Sequence, residues 1–205
     1  DVESGEKVNA SEGNEGFDVA PVFSPDGKWI AWESMRRDGY ESDQNRLFIY
    51  NREKGAYQDY TADLDQNVHG LQWSADSKHV YFTSDWHARY QAYRLELESG
   101  AISMLTEGVH NYRSLAPAGD VLIGTRQSMS SPTEIFAISL NGNKEEIERQ
   151  TPYGNIFNLH KAIGEQTQIS QENKRLMDKI TMGKVEERWI TTTDGKKMLT
   201  WVIYP

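Results

Sequence analysis

One ten-residue pattern constrains the fold more than any other feature of this chain. Phe23-Ser24-Pro25-Asp26-Gly27-Lys28-Trp29-Ile30-Ala31-Trp32 returns as Trp73-Ser74-Ala75-Asp76-Ser77-Lys78-His79-Val80-Tyr81-Phe82. It returns again, degraded, as Leu115-Ala116-Pro117-Ala118-Gly119-Asp120-Val121-Leu122-Ile123-Gly124. Each copy reads as strand, turn, strand: Pro presets φ, Gly tolerates positive φ, and the apolar flanks favour extended chain. A second element follows each copy, with strands at 47–50 and 56–61 around a turn, then at 93–97 and 101–106, then at 135–140 before Asn141-Gly142. Four short strands in roughly 40–50 residues make the blade of a β-propeller. A β-sandwich also spaces short strands regularly, but it would not repeat one turn sequence at this period.

The repeat register also locates the ends of the pattern. Val2-Glu3-Ser4-Gly5 matches Leu97-Glu98-Ser99-Gly100, so the chain is expected to open inside a blade. About three and a quarter blades result, against the roughly four to eight that close a propeller, so a partial all-β propeller is expected over residues 1–170. The third unit is irregular. Its outer hairpin either ends near Thr151, or its last strand is the 165–170 stretch and 141–164 is an inserted excursion; the insertion is favoured. From Gln171 the repeat stops. Residues 172–180 have helical spacing, with Leu176, Met177 and Ile180 as the apolar positions. Residues 185–192 and 198–204 flank Asp194-Gly195, a hairpin signature matching no blade, so 171–205 reads as a linker and the first hairpin of another domain.

Composition narrows the chemistry. With 22 Lys+Arg against 31 Asp+Glu the net charge is −9, which disfavours a nucleic-acid partner. There is no cysteine, hence no disulfide scaffold, thiolate metal site or Cys nucleophile. No apolar run approaches the roughly 18 residues of a membrane span, and no basic-then-apolar leader opens the chain. His69, His110 and His160 do not stand at metal-ligand spacing with carboxylates, so no metal or other cofactor is expected. Acidity is concentrated in residues 1–65, with seven basic and fifteen acidic residues. A solvated face accounts for that, as does a region that attracts a cation such as a peptide's amino terminus.

Several segments carry a family likeness. The stretch from Asp18 through Lys28, the Ser34-Met35-Arg36-Arg37-Asp38-Gly39-Tyr40-Glu41 that follows, Thr83-Ser84-Asp85-Trp86-His87, and the terminal pair Val185-Glu186-Glu187-Arg188-Trp189-Ile190 and Trp201-Val202-Ile203-Tyr204-Pro205 resemble prolyl oligopeptidase-family serine peptidases. Within that family the dipeptidyl peptidase 5 and acylaminoacyl peptidase branch is most similar. The Ser-Pro-Asp-Gly-Lys repeat alone is shared with TolB-type propellers; its combination with the terminal hairpin is more specific. The resemblance implies a propeller followed by an α/β-hydrolase domain holding Ser, Asp and His. It also implies short-peptide cleavage between the two domains, access limited by the propeller, and a periplasmic or secreted location. The implied partners are a short peptide and the chain's own C-terminal hydrolase domain. No Ser here has Gly two positions before it, so the nucleophile elbow Gly-x-Ser-x-Gly is absent and this segment alone should be inactive. A non-enzymatic, TolB-like propeller binding a protein partner is the alternative.

In a blade, the loops between second and third strands share one rim, here residues 34–46, 84–91 and 126–133. Function tends to sit on loops held by a rigid scaffold. Glu33, Glu41 and Asp43 are candidates for a peptide's ammonium group, and Arg36 or Arg37 for its carbonyl or carboxylate. Trp86 and Tyr90 are candidates for packing a substrate side chain, and His87 for a polar contact. Each has a plain structural reading beside it: a solvated loop with internal ion pairs in the first case, loop packing in the second. Arg126 and Ser128 are weaker candidates. Asp26 and Asp76 read as turn residues, and Trp29, Trp32 and Trp73 as core.

Overall fold

The computed structural model describes residues 2–151 and 154–205. Its first repeat unit is an antiparallel sheet of β1 (Asp18–Phe23), β2 (Trp29–Ser34), β3 (Arg46–Asn51) and β4 (Ala56–Asp59), in that order. The second unit is β5 (Val68–Trp73), β6 (His79–Trp86), β7 (Arg89–Glu96) and β8 (Ile102–Met104). The third begins with β9 (Asn111–Ala118), β10 (Val121–Ser128) and β11 (Ser131–Ser139). The first strands of the three sheets contact one another, β1 with β5 and β5 with β9, so the sheets fan out as propeller blades do.

The repeated turn explains itself atom by atom. Ser24 Oγ donates to Asp26 Oδ1 at 2.6 Å and accepts from the Trp29 amide at 3.0 Å, while Asp26 Oδ1 accepts from the Lys28 amide at 3.0 Å. Ser74 and Asp76 reproduce this lattice with Lys78 and His79. Gly27 takes φ of 69°, but its counterpart Ser77 takes 59°, where a side chain is strained. That serine has a second use: its Oγ accepts from the Asp26 amide at 3.1 Å, tying one blade's turn to the next. A further repeat lies outside the motif. Thr61 and Thr106, both buried, offer Oγ1 to the amides of Leu47 and Ala92, so each outer strand is pinned to its neighbour past the last ladder bond.

Two cores lie between the blades. Ala31, Leu47 and Ile49 of the first sheet meet Val68, Trp73, Val80, Phe82, Tyr93 and Leu95 of the second. Tyr81 and Ala92, on the opposite face of the second sheet, meet Tyr112, Leu115, Leu122, Phe136 and Ile138 of the third. Alternation of Val80, Tyr81 and Phe82 between the cores is the two-residue period of a strand buried on both faces. Trp32 and Trp73 are buried, and Trp29 is half-buried against the first core.

The third blade takes its last strand late. β12 (Glu145–Gln150) and β13 (Ile156–Lys161) form a hairpin that leaves the third sheet and joins the second, β13 running parallel to β8. The chain then returns as β14 (Gln166–Gln168), antiparallel to β11, so the strand from the 165–170 stretch completes the blade and 141–164 is the excursion. Phe157 and Leu159 of the inserted hairpin enter the first core, and Arg149 reaches the Tyr93 hydroxyl at 3.0 Å.

Two expectations need correction. The helical spacing over 172–180 yields a single turn, α1 (Lys174–Met177), with no buried residue; Leu176 is 60% exposed and Ile180 46%. Helices in proteins are stabilised mostly by packing an apolar face, and α1 buries no side chain. The segments 84–91 and 126–133 are not open loops. β6 and β7 run to a two-residue turn at His87-Ala88, both with positive φ, and β10 and β11 to one at Met129-Ser130. Of the three rim segments only 35–45 is a long connection. The terminal hairpin, β15 (Val185–Thr191) and β16 (Lys197–Ile203), turns at Asp194-Gly195 and forms its own two-stranded sheet.

Candidate functional site

The long connection 35–45 leans across the start of β5 and the end of β6, leaving an open hollow of about 400 Å³ between the first two blades. Its wall carries the carboxylates of Glu41, Asp43, Asp65 and Asp85, with Asn45 and His69 among the other lining groups. Behind it lies Glu33, only 8% exposed. Glu33 Oε1 accepts from the Gly70 amide at 2.7 Å, and Oε2 accepts from Asn45 Nδ2 at 2.7 Å and faces His69 Nδ1 at 3.6 Å. Gly70 has φ of 69° and sits at an irregularity in the β5–β6 register, which turns its amide toward Glu33.

The sequence candidates separate into groups. Asp43 is engaged by Arg37, whose amide and Nε both donate to it at 2.8 Å. That pairing holds the Asp43 carboxyl below its ordinary value and raises Arg37, whose guanidinium also lies 3.8 Å from the Tyr40 ring centre. Glu41 and Asp65 have no ion pair among the described residues. Asp85 Oδ1 accepts from the Asn67 amide at 3.3 Å. Tyr90 borders the site, its ring 6.2 Å from that of His69. Arg36 lies apart, beside residues 13–15 and Tyr57. Trp86 and His87 also turn elsewhere: they stack on each other at 4.5 Å, Trp86 meeting Phe157 of the inserted hairpin and His87 meeting Trp189.

Asn45, Asp65, His69 and Asp85 were not singled out as site residues from the sequence. Asn45 ends the 35–45 connection, Asp65 lies between β4 and β5, and His69 and Asp85 stand on the second blade, and no spacing rule brings them to Glu33. Asn45 is the most informative. It is 4% exposed; its Nδ2 donates to Glu33 and to the Val68 carbonyl at 2.6 Å, while its Oδ1 has no partner among the described residues. A buried acceptor without a donor calls for one. With the surrounding carboxylates, the hollow suits a cation that donates hydrogen bonds, such as an ammonium group with its three N–H.

Charge coupling behind the hollow sets a pH window. Burial raises the pKa of Glu33, but His69, the Gly70 amide and Asn45 outweigh it and hold the carboxyl below its ordinary value. His69 moves upward, because its contact with Glu33 overcomes burial. A depressed carboxyl contributes stability above its unfolded pKa and loses it as pH falls through the folded value. A raised imidazole contributes below its unfolded pKa and loses it as pH rises through the folded value. The pair therefore supports the blade contact best between about pH 4.5 and 6.5. His69→Gln is expected to flatten the alkaline limb. Between pH 6 and 9 the native chain should lose on the order of 0.5 kcal/mol relative to the variant, after allowing for screening of a half-exposed ring; the lowered pKa values of His79, His87 and His110 act alike in both proteins and cancel from the difference. Denaturant titrations at the two pH values measure this, and identical pH dependence in both proteins would contradict the pairing.

Comparison with known proteins follows the same outline. No family profile matches the chain. It is 36% identical over 202 residues to dipeptidyl-peptidase 5 of Porphyromonas gingivalis, covering 98% of this chain and 26% of that protein. The dipeptidyl-peptidase 5 of Porphyromonas endodontalis is 36% identical over 205 residues, covering 100% of this chain and 27% of that one. The chain thus spans about a quarter of the length of these relatives. Among solved structures, Pyrococcus horikoshii acylaminoacyl peptidase matches with a TM-score of 0.65 at 18% identity, over 88% of this chain and 24% of that one, which is a likeness of fold. The chain-long similarity to dipeptidyl-peptidase 5 and this shared fold support the chain as a β-propeller segment of the prolyl oligopeptidase-family peptidase type.

Proposed function

We propose that this chain is the substrate-gating propeller part of a serine exopeptidase that removes dipeptides, or short acyl-peptides, from oligopeptides. The observation that carries the proposal is the 36% identity to dipeptidyl-peptidase 5 over almost the whole chain. On this reading residues 1–170 are propeller, 171–205 lead into the catalytic domain, and that domain follows Pro205. The acidic hollow is where the substrate's free amine docks, on Glu41, Asp65 and Asp85. Tyr90 borders the bound peptide, and Arg37 sets the charge of the hollow by engaging Asp43. A hollow of this charge favours free-amine peptides over acylated ones. The catalytic domain would supply a Ser nucleophile, a His base and an oxyanion hole to acylate on the carbonyl so presented. A periplasmic or secreted location belongs to the same proposal. No helix among the described residues is long and apolar enough to cross a membrane.

The test is direct. The native reading frame should continue beyond Pro205 for roughly 200–250 residues, a usual domain size, and encode Gly-x-Ser-x-Gly. The expressed product should react with a fluorophosphonate at that serine. A stop codon soon after Pro205, or a product inert to the probe, would leave a non-catalytic, partner-binding propeller as the better reading.

A further inference from the structure

Among the described residues the β15–β16 hairpin shares no strand ladder with a blade, and its ring and ion-pair contacts with the propeller gather at the β6–β7 turn. The positive φ of His87 and Ala88, 52° and 57°, makes that turn tight. His87 meets the edge of Trp189 with ring centres 4.9 Å apart. Arg89 forms an ion pair with Glu187, and its guanidinium carbon lies 5.2 Å from the Trp201 ring centre. Glu187 also accepts from Trp189 Nε1 at 2.8 Å.

Beside Arg89 is a void of about 20 Å³, bordered by His110, Met129 and Trp201 among others. Three of the bordering residues each bury one nitrogen with no partner among the described residues: Arg89 Nε, His110 Nε2 and Trp201 Nε1. Arg and Trp nitrogens only donate, so these two cannot satisfy each other. Burial, reinforced by Arg126 and Arg89, pushes the His110 pKa down to about 4. Its ring is therefore neutral near pH 7, and with the proton on Nδ1 its Nε2 is an acceptor. Two donors and one acceptor around a volume of this size match one water molecule, which accepts twice and donates at least once.

We propose that a single buried water occupies this void, accepting from Arg89 Nε and Trp201 Nε1 and donating to His110 Nε2, and that it pins the hairpin to the propeller rim. The joint links three pieces of chain: the second blade through Arg89, the connection into the third blade through His110, and the hairpin through Trp201. The void is too small for an organic ligand. This joint does not depend on what the protein catalyses.

The test is a high-resolution crystal structure of the native protein together with a double-mutant cycle. Density for one water within about 3.2 Å of all three nitrogens supports the proposal; an empty void, or nitrogens paired directly with protein groups, overturns it. His110→Phe and Trp201→Phe each keep a ring in place while deleting one polar partner. Neither nitrogen bonds the other, so coupling between them, read together with the density for the water, supports a shared water. Each substitution should lower the folding equilibrium constant about 5-fold, and the pair by about 5- to 10-fold rather than the roughly 25-fold of independent effects. Additive losses would overturn the shared water.

Discussion

Replacing Glu33 by alanine is expected to lower the thermal midpoint by roughly 4–16 °C. The side chain is 8% exposed and serves both blades at once: it stands on β2 but accepts from the Gly70 amide of β5 and from Asn45, and faces His69. Alanine leaves the Gly70 amide without an acceptor and strands half of the Asn45 amide. Deleting the buried charged member of such a cluster costs about 2–4 kcal/mol, and each kcal/mol moves the midpoint of a chain of this size by about 2–4 °C. Glu33→Gln keeps one acceptor oxygen and should cost about half as much. Scanning calorimetry of the three proteins measures the series. A shift below about 1 °C for the alanine variant would mean that the blade contact does not rest on this carboxylate.

The second large effect is expected at Tyr93. Its ring is fully buried and stacks on Phe82 with centres 5.6 Å apart, and its hydroxyl is met by Arg149 Nη1 at 3.0 Å and Gln66 Nε2 at 3.3 Å. Arg149 comes from the inserted hairpin, lies 4.8 Å from the Trp86 ring centre, and has no carboxylate partner among the described residues. Tyr93→Ala should cost about 3–5 kcal/mol, the range for deleting a large aromatic side chain from a core. Tyr93→Phe removes only the hydroxyl and should cost about 1–2 kcal/mol. Arg149→Met should cost a similar amount, and the two milder changes together should fall well short of their sum, because they break one shared network. Denaturant unfolding of the four variants decides it. Full additivity would show that Arg149 and the Tyr93 hydroxyl do not act as one network.

The blades were readable in the sequence because their signals are local. Ser24, Asp26 and Gly27 close a turn within five residues, and Ser74 and Asp76 repeat it, so the turn chemistry announces the strands on either side. The insertion was readable for a similar reason, since 165–170 resembles a fourth strand. What the sequence hid is non-local. Ser77 looks like a failed glycine until its hydroxyl is seen holding the Asp26 amide of the neighbouring blade. Glu33 looked like a rim carboxylate, and it is buried by partners 36 and 37 positions away along the chain, His69 and Gly70. Trp86 and His87 fall in a segment that reads as a loop, but a two-residue turn and two later hairpins hold them. The 3.6-residue periodicity also misled: over 172–180 the apolar spacing is present, but the single turn that forms there buries no side chain.

The central claim is that the acidic hollow between the first two blades receives the free amine of a peptide substrate. Glu41 and Asp65 are the carboxylates to change, because neither is ion-paired among the described residues and neither is buried. In the full-length enzyme, a Glu41→Gln, Asp65→Asn double variant should raise KM for a free-amine dipeptide substrate about 10-fold with kcat little changed, the signature of lost uniform binding through charge-assisted hydrogen bonds. The N-acylated analogue of the same substrate should change less than about twofold. Equal effects on both substrates, or none on either, would contradict the assignment of this hollow as the amine site.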